Sequence, residues 1–132
     1  MRERLFAYAK KKYHAEPEYL WSRYPEYAIL RHSDNRKWFG LVMNVSQRKL
    51  GLDGESVVDI LNVKLNDPLL VDLLIQESGF FRGYHISRGN WISILLDGSV
   101  PFEEVCRWLD ESFQTTSSRK GIRQKNQKKL ES

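Results

Sequence analysis

Residues 27–45, YAILRHSDNRKWFGLVMNV, contain the clearest β-hairpin pattern of the chain. Two runs rich in β-branched and aromatic side chains, 27–32 and 37–45, flank the polar turn 33–36. After a polar stretch, a third run of the same kind covers 57–65 and can pair with the second. The pattern therefore predicts three consecutive antiparallel strands.

Helical spacing of apolar side chains appears in three other segments. Residues 2–13 predict a helix with one apolar face, formed by Leu5, Phe6, Ala9 and Tyr13. Asp67 can cap a second helix that has Pro68 in its first position and ends at Gly79. Its predicted buried stripe consists of Leu69, Leu70, Leu73 and Leu74. A third helix follows Pro101, with an apolar face of Phe102, Val105, Cys106, Leu109 and Phe113.

A second hairpin is predicted between the last two helices. Its strands would cover 80–87 and 91–96, on either side of a tight turn at Arg88, Gly89 and Asn90. The complete order is then α-β-β-β-α-β-β-α. Strands joined as hairpins and interrupted by helices indicate an α+β fold, in which an antiparallel sheet carries its helices on one face.

The charge of the chain is unevenly distributed. The net charge is +4, but residues 119–132 alone hold six basic side chains and one acidic side chain, a net charge of +5. The other 118 residues therefore carry a net charge of −1. Hydrophobic periodicity also stops near this boundary, so we predict one folded domain over 1–116 and a basic, flexible tail over 117–132. The basic character belongs to the tail and not to the domain.

Several functional classes find little support in the sequence. No signal-peptide core or apolar run of about 18 residues is present, so we expect a cytoplasmic protein without a membrane partner. Cys106 lies on a helical apolar stripe, where a thiol is inert. His14, His32 and His85 belong to different elements, and we therefore expect neither a metal nor another cofactor. We expect a monomer without enzymatic activity.

Cations are clustered at three predicted turns. The segment 82–91 concentrates cations, hydrogen-bond donors and aromatic rings around the second hairpin tip, which could contact phosphates and stack on bases. The alternative is that its aromatic residues are strand residues and that Arg88, Gly89 and Asn90 only form the turn. Likewise, the pairs Arg36 and Lys37, and Arg48 and Lys49, are either solvated turn residues or phosphate contacts.

A set of short motifs resembles the MmcQ/YjbR family over residues 1–115. In chain order these are NVKLNDP (62–68), YHI (84–86), NW (90–91) and DGSVP (97–101). The resemblance implies a frataxin-like α+β fold in a double-wing arrangement and a role as a bacterial DNA-binding protein. The family often has Asn-Lys-x-His-Trp at the second hairpin, whereas this chain has Ser-Arg-Gly-Asn-Trp at 87–91. The cation is kept as Arg88, and the histidine is absent.

Our leading hypothesis from the sequence is a DNA-binding protein that contacts phosphates through its hairpin tips and its tail. The candidate contact residues are Arg36, Lys37, Arg48, Lys49, Arg82, His85, Arg88, Trp91, Arg119, Lys120, Arg123 and Lys125. The alternative is a protein or small-ligand interaction module that does not bind nucleic acid. It is favoured by the nearly neutral domain.

Overall fold

The computed structural model describes residues 1–86 and 90–118. It confirms the predicted α+β order of elements. The helices are α1 Arg2–Tyr13, α2 Pro68–Leu74 and α3 Phe102–Thr116, and the strands are β1 Ala28–Arg31, β2 Trp38–Ser46, β3 Val57–Lys64, β4 Phe80–Arg82 and β5 Trp91–Leu95. A 3₁₀ turn, Gln47–Leu50, which the sequence did not predict, occupies the loop between β2 and β3.

The five strands form one antiparallel sheet in the order β1-β2-β3-β5-β4. Both predicted strand pairs, β1 with β2 and β4 with β5, are confirmed, and so is the pairing of β3 with β2. Opposite Leu30 and Arg31, β2 presents Gly40 and Trp38, so Phe39 has no partner across the strand pair. This bulge turns the buried Phe39 towards the helices.

The two faces of the sheet are covered differently. The buried side chains of all three helices, such as Leu5, Val71 and Leu109, share one core cluster on one face, which confirms the predicted placement of the helices. A second cluster on the other face contains Met43 and Ile60, and it is covered by irregular segments of the chain. The residues that cover it include Trp21, Tyr27, Leu50, Leu52, Tyr84 and Ile86.

The buried side of α2 differs from the prediction. Leu69 and Leu73 are 70% and 66% exposed, whereas Val71 and Leu74 are buried. The prediction was right for Leu74 and for the half-buried Leu70, and it was wrong for Leu69 and Leu73. Five of the seven residues in this helix are apolar, so their spacing cannot select one face. The cap was predicted correctly, since the Asp67 carboxylate accepts a hydrogen bond from the Leu69 amide at 2.9 Å. The helix ends at Leu74, before the predicted Gly79.

The second hairpin is shorter than predicted, because β4 ends at Arg82 and not at residue 87. The Gly83 amide still donates to the Trp91 carbonyl at 3.0 Å. The Tyr84 amide then donates to the Ser93 hydroxyl at 2.9 Å, so the chain bends over the face of the sheet. The Ser93 hydroxyl in β5 thus replaces a backbone carbonyl as the partner of the Tyr84 amide, and the strand ends before this residue. Of the predicted turn, Arg88 and Gly89 lie outside the described residues.

Candidate nucleic-acid interface

The first hairpin turn, which connects β1 to β2, is fixed by one asparagine. The Asn35 amide oxygen accepts a hydrogen bond from the Lys37 backbone amide at 2.9 Å. Its amide nitrogen donates to the Thr116 carbonyl at the end of α3, also at 2.9 Å. Arg36, between them, has a left-handed φ of 65°, which is strained for a residue other than glycine. The turn therefore presents the exposed cations Arg36 and Lys37 from a fixed backbone.

His32 fastens the base of the same turn to α3. It is only 6% exposed, and its Nε2 lies 2.7 Å from the Thr116 hydroxyl. The Thr116 hydroxyl donates to the Ser112 carbonyl, so its oxygen can accept from His32 Nε2–H. The ring also packs against Phe39 and Phe113, with centroids 5.1 and 4.3 Å away. Burial lowers the pKa of His32, because the apolar surroundings disfavour the charged imidazolium.

A cleft of about 410 Å³ lies beside this turn, between the C-terminal ends of α1 and α3. Its lining includes Tyr13, His14, Arg31, His32 and Phe113. Arg31 is occupied by Glu18, to which it donates two hydrogen bonds of 2.8 and 2.5 Å. These bonds lower the pKa of the Glu18 carboxyl. The principal cation of the cleft is therefore already neutralised within the protein.

The other cationic loop lies at the opposite end of the sheet. Ser46 at the end of β2 pairs with Val57 at the start of β3, so the loop carrying Arg48 and Lys49 leaves the sheet there. The first turn precedes Trp38, at the other end of the nine-residue β2. At about 3.3 Å per residue, the two loops are separated by roughly 25 Å of strand. The structure does not combine the two pairs of cations into one surface.

Two of the predicted contact residues are held in ion pairs. Arg48 lies 2.8 Å from the Glu55 carboxylate, and Arg82 lies 3.0 Å from that of Asp72. All four side chains are more than half exposed. Such surface pairs contribute about 0–1 kcal/mol and are weakened by salt. Both arginines can thus exchange an internal carboxylate for an external anion at little cost.

The second hairpin brings its aromatic residues back onto the protein. Trp91 begins β5, pairs with Lys64 and is half-buried, as the strand-residue alternative expects. His85 is exposed with a left-handed φ of 59°, and its ring centroid lies 4.1 Å from that of Tyr84. Five further predicted contacts lie outside the described residues, namely Arg88, Arg119, Lys120, Arg123 and Lys125.

Cys106 is buried on α3, as predicted from its place in the apolar stripe. Burial raises the pKa of its thiol, which favours the protonated form over the nucleophilic thiolate. Within 1–86 and 90–118, no three His, Cys, Asp or Glu side chains converge as metal ligands. In the same residues, no helix is long and apolar enough to span a bilayer.

The family model named YjbR matches residues 10–115. The chain belongs to the YjbR family. It is 44% identical over 115 residues to the uncharacterized protein YyaQ of Bacillus subtilis (strain 168), covering 87% of this chain and 97% of that protein. The match confirms the resemblance inferred from the motifs.

Solved structures from Pseudomonas syringae share the fold of this YjbR-family chain. A crystal structure has a TM-score of 0.84 and 37% identity, covering 89% of this chain and 99% of that chain. A solution NMR structure has a TM-score of 0.79 and 36% identity, covering 90% and 94%. The family match ends at residue 115, so the cationic residues 119–132 lie beyond it.

Asn35 and Thr116 are the important residues that the sequence did not single out. An asparagine in a short polar turn is a common signal for a local backbone bond, and the Lys37 contact is of that kind. Its second partner lies 81 residues further along the chain. The spacing of residues in the sequence does not indicate this contact, because the contact depends on how α3 crosses the sheet.

Proposed function

We propose that this YjbR-family chain is a non-enzymatic protein that binds duplex DNA through its phosphates. The Asn35–Thr116 hydrogen bond is the observation that carries the proposal. It holds Arg36 and Lys37 beside the end of α3, and the sequence continues from there, after Ser118, into six further cations. The turn that carries two exposed cations therefore lies beside the end of α3, after which the sequence continues into the cationic tail.

Local charge supports this surface better than total charge does. Residues 1–118 carry a net charge of −1, so the domain as a whole does not attract a polyanion. Arg36 and Lys37 are exposed and, in the part of the chain that the structure describes, neither has an ion pair. They can therefore contact phosphates without first giving up a carboxylate. Each phosphate neutralised would release a counterion.

The absence of catalysis is part of the proposal. The sole cysteine is buried and its thiol pKa is raised, which disfavours a thiolate nucleophile. His32, the buried histidine of the cleft, is engaged with the Thr116 hydroxyl and serves the packing of the turn. Both side chains have structural roles that account for their positions.

Titration of a fluorescent DNA duplex with the full chain and with a chain ending at Ser118, at low and moderate salt, tests the proposal. The shorter chain keeps all of α3 and the Asn35–Thr116 bond. We expect both to bind at low salt, the full chain more tightly. Failure of both to bind would reject DNA binding. Binding by the full chain alone would mean that the tail acts as a generic polycation and that the folded domain does not bind DNA.

The cleft beside the first turn favours the second candidate, a small-ligand module. Its volume of about 410 Å³ is in the range of small-molecule sites, and its aromatic and polar lining is of the kind such sites use. A ligand would have to fill it without the help of Arg31, which Glu18 occupies. Ligand-induced shifts of the Phe113 ring resonances, from a screen of small molecules at constant salt, would support this candidate.

A further inference from the structure

A smaller pocket lies at the end of the sheet opposite the first hairpin turn. Its volume is about 250 Å³, and it opens between the segment that leads into β1 and the ends of β2 and β3. Three tyrosines and two cations line it, namely Tyr24, Tyr27, Tyr84, Arg23 and Lys49. Because 250 Å³ is below the usual range for drug-sized ligands, the pocket suits one planar ring and its immediate substituents.

The tyrosines form the beginning of a stack. The rings of Tyr24 and Tyr27 are nearly parallel, with centroids 4.6 Å apart and an interplanar angle of 14°. Trp21 meets Tyr27 edge to face at 6.0 Å, which fixes the inner ring. Tyr24, the outer ring, remains 50% exposed. A third planar group can therefore extend the stack on Tyr24.

The polar groups of the pocket are free to meet such a group. In the described residues, the hydroxyls of Tyr24, Tyr27 and Tyr84 make no hydrogen bond to protein, and neither Arg23 nor Lys49 forms an ion pair. The one carboxylate in the wall, that of Glu26, faces Arg2 at 3.6 Å. Two exposed cations thus line the same pocket as the tyrosines, and the carboxylate in its wall is already paired with Arg2.

We propose that this pocket binds an unpaired nucleobase of single-stranded nucleic acid. The base would stack on Tyr24, and Arg23 and Lys49 would contact the phosphates on either side. Aromatic platforms between cations are the usual means of holding single strands, because every base has a face for stacking. A duplex would not serve, since its bases are already stacked on one another. The pocket lies at the end of the sheet opposite the turn that carries Arg36. Binding of an unpaired base there therefore does not depend on duplex binding by that turn.

Fluorescence anisotropy of the full-length protein with a labelled 12-nucleotide oligo(dT), and separately with a labelled duplex, tests the inference. Tyr24→Leu removes the stacking surface, whereas Tyr24→Phe keeps it and is the matched control. We expect Tyr24→Leu to weaken oligo(dT) binding at least about fivefold, because stacking contributes ~1–3 kcal/mol per base. Tyr24→Phe should stay within twofold of the wild type, and duplex affinity should be unchanged in both variants.

Three results would overturn the inference. The first is equal oligo(dT) affinity for Tyr24→Leu and the wild type. The second is an equal loss of duplex and oligo(dT) affinity in Tyr24→Leu, since the pocket would then not distinguish unpaired bases from a duplex. The third is binding of dTMP as tight as that of the oligonucleotide, since the pocket would then serve a free nucleotide. Oligo(dT) binding that depends on Tyr24, with no duplex binding, would support this site while rejecting the proposed duplex function.

Discussion

The side-chain amide of Asn35 donates a 2.9 Å hydrogen bond to the main-chain carbonyl of Thr116, 81 residues away. The last carbonyls of a helix have no partner within the helix, and Asn35 satisfies one of them. Because the same side chain accepts from the Lys37 amide, it holds the turn and the end of α3 as one unit. Asn35 therefore contributes, together with His32 at the base of the turn, to the position of Arg36 and Lys37 relative to α3.

Replacing Asn35 with alanine should lower the free energy of unfolding by about 1–2 kcal/mol, because its hydrogen bonds with the Lys37 amide and the Thr116 carbonyl are lost. Urea unfolding followed by circular dichroism measures the change. Ser33→Ala, at an exposed position of the same turn, is the control and should be neutral within about 0.5 kcal/mol. Equal stability of Asn35→Ala and the control would show that the turn does not depend on this bond.

His32 makes stability depend on pH. Its pKa in the folded protein is lowered by burial, so its contribution is complete above the unfolded value of about 6.5. The contribution is lost as pH falls from there to the folded pKa, with a slope of at most about 1.4 kcal/mol per pH unit. We expect His32→Gln to remove this slope from urea unfolding curves between pH 8 and pH 5. His14→Asn, at the exposed end of α1, should retain it.

Gly79 should tolerate alanine less well than Gly98 does. Both have a left-handed φ, of 90° and 95°, so the conformational cost of about 1 kcal/mol is common to the two. A Cβ at Gly79 would lie 2.6 Å from Val100 Cγ2, whereas one at Gly98 would meet nothing within 4 Å. We therefore expect Gly79→Ala to cost about 1–3 kcal/mol more than Gly98→Ala in thermal unfolding. Equal losses of stability in the two variants would mean that the loop around Val100 moves to accommodate the added methyl group without a measurable cost.

Truncation of the neighbouring residues Leu73 and Leu74 in α2 should change the stability of the protein by different amounts. Leu74 is 6% exposed within the main core, so Leu74→Ala should cost about 2–4 kcal/mol. Leu73 is 66% exposed, and Leu73→Ala should remain within about 0.5 kcal/mol of the wild type. Chemical denaturation of both variants checks the corrected orientation of this helix. A cost for Leu73→Ala as large as that for Leu74→Ala would restore the stripe predicted from the sequence, which contains both leucines.

The sequence was sufficient for elements whose signals are local. The span of α1, the hairpin of β1 and β2, and the Asp67 cap with Pro68 behind it all follow from neighbouring residues, and the structure confirms them. The sequence was not sufficient where a distant contact or a uniformly apolar pattern determines the structure. The face of α2 could not be selected among leucines, and β4 was predicted too long because Ser93 takes the Tyr84 amide.

The candidate site was predictable only in its composition. Arg36, Lys37, Arg48 and Lys49 were identified as exposed turn cations, and the structure places all four at the surface. Their division between opposite ends of the sheet depends on the directions of β1, β2 and β3, which the strand pairing in the structure establishes. The attachment of the first turn to α3 likewise appears only when the two segments are in contact.

Duplex affinity of two charge-matched variants of the full chain tests the central claim most directly. Arg36→Gln with Lys37→Gln removes the cations beside the end of α3, and Arg48→Gln with Lys49→Gln removes the same charge from the opposite end. We predict weaker binding for the first variant and a salt slope smaller by about 2, since each lost phosphate contact contributes about 0.9. The second variant should bind the duplex as the wild type does. Equal affinity of the two variants would contradict a phosphate-binding surface at the first hairpin turn.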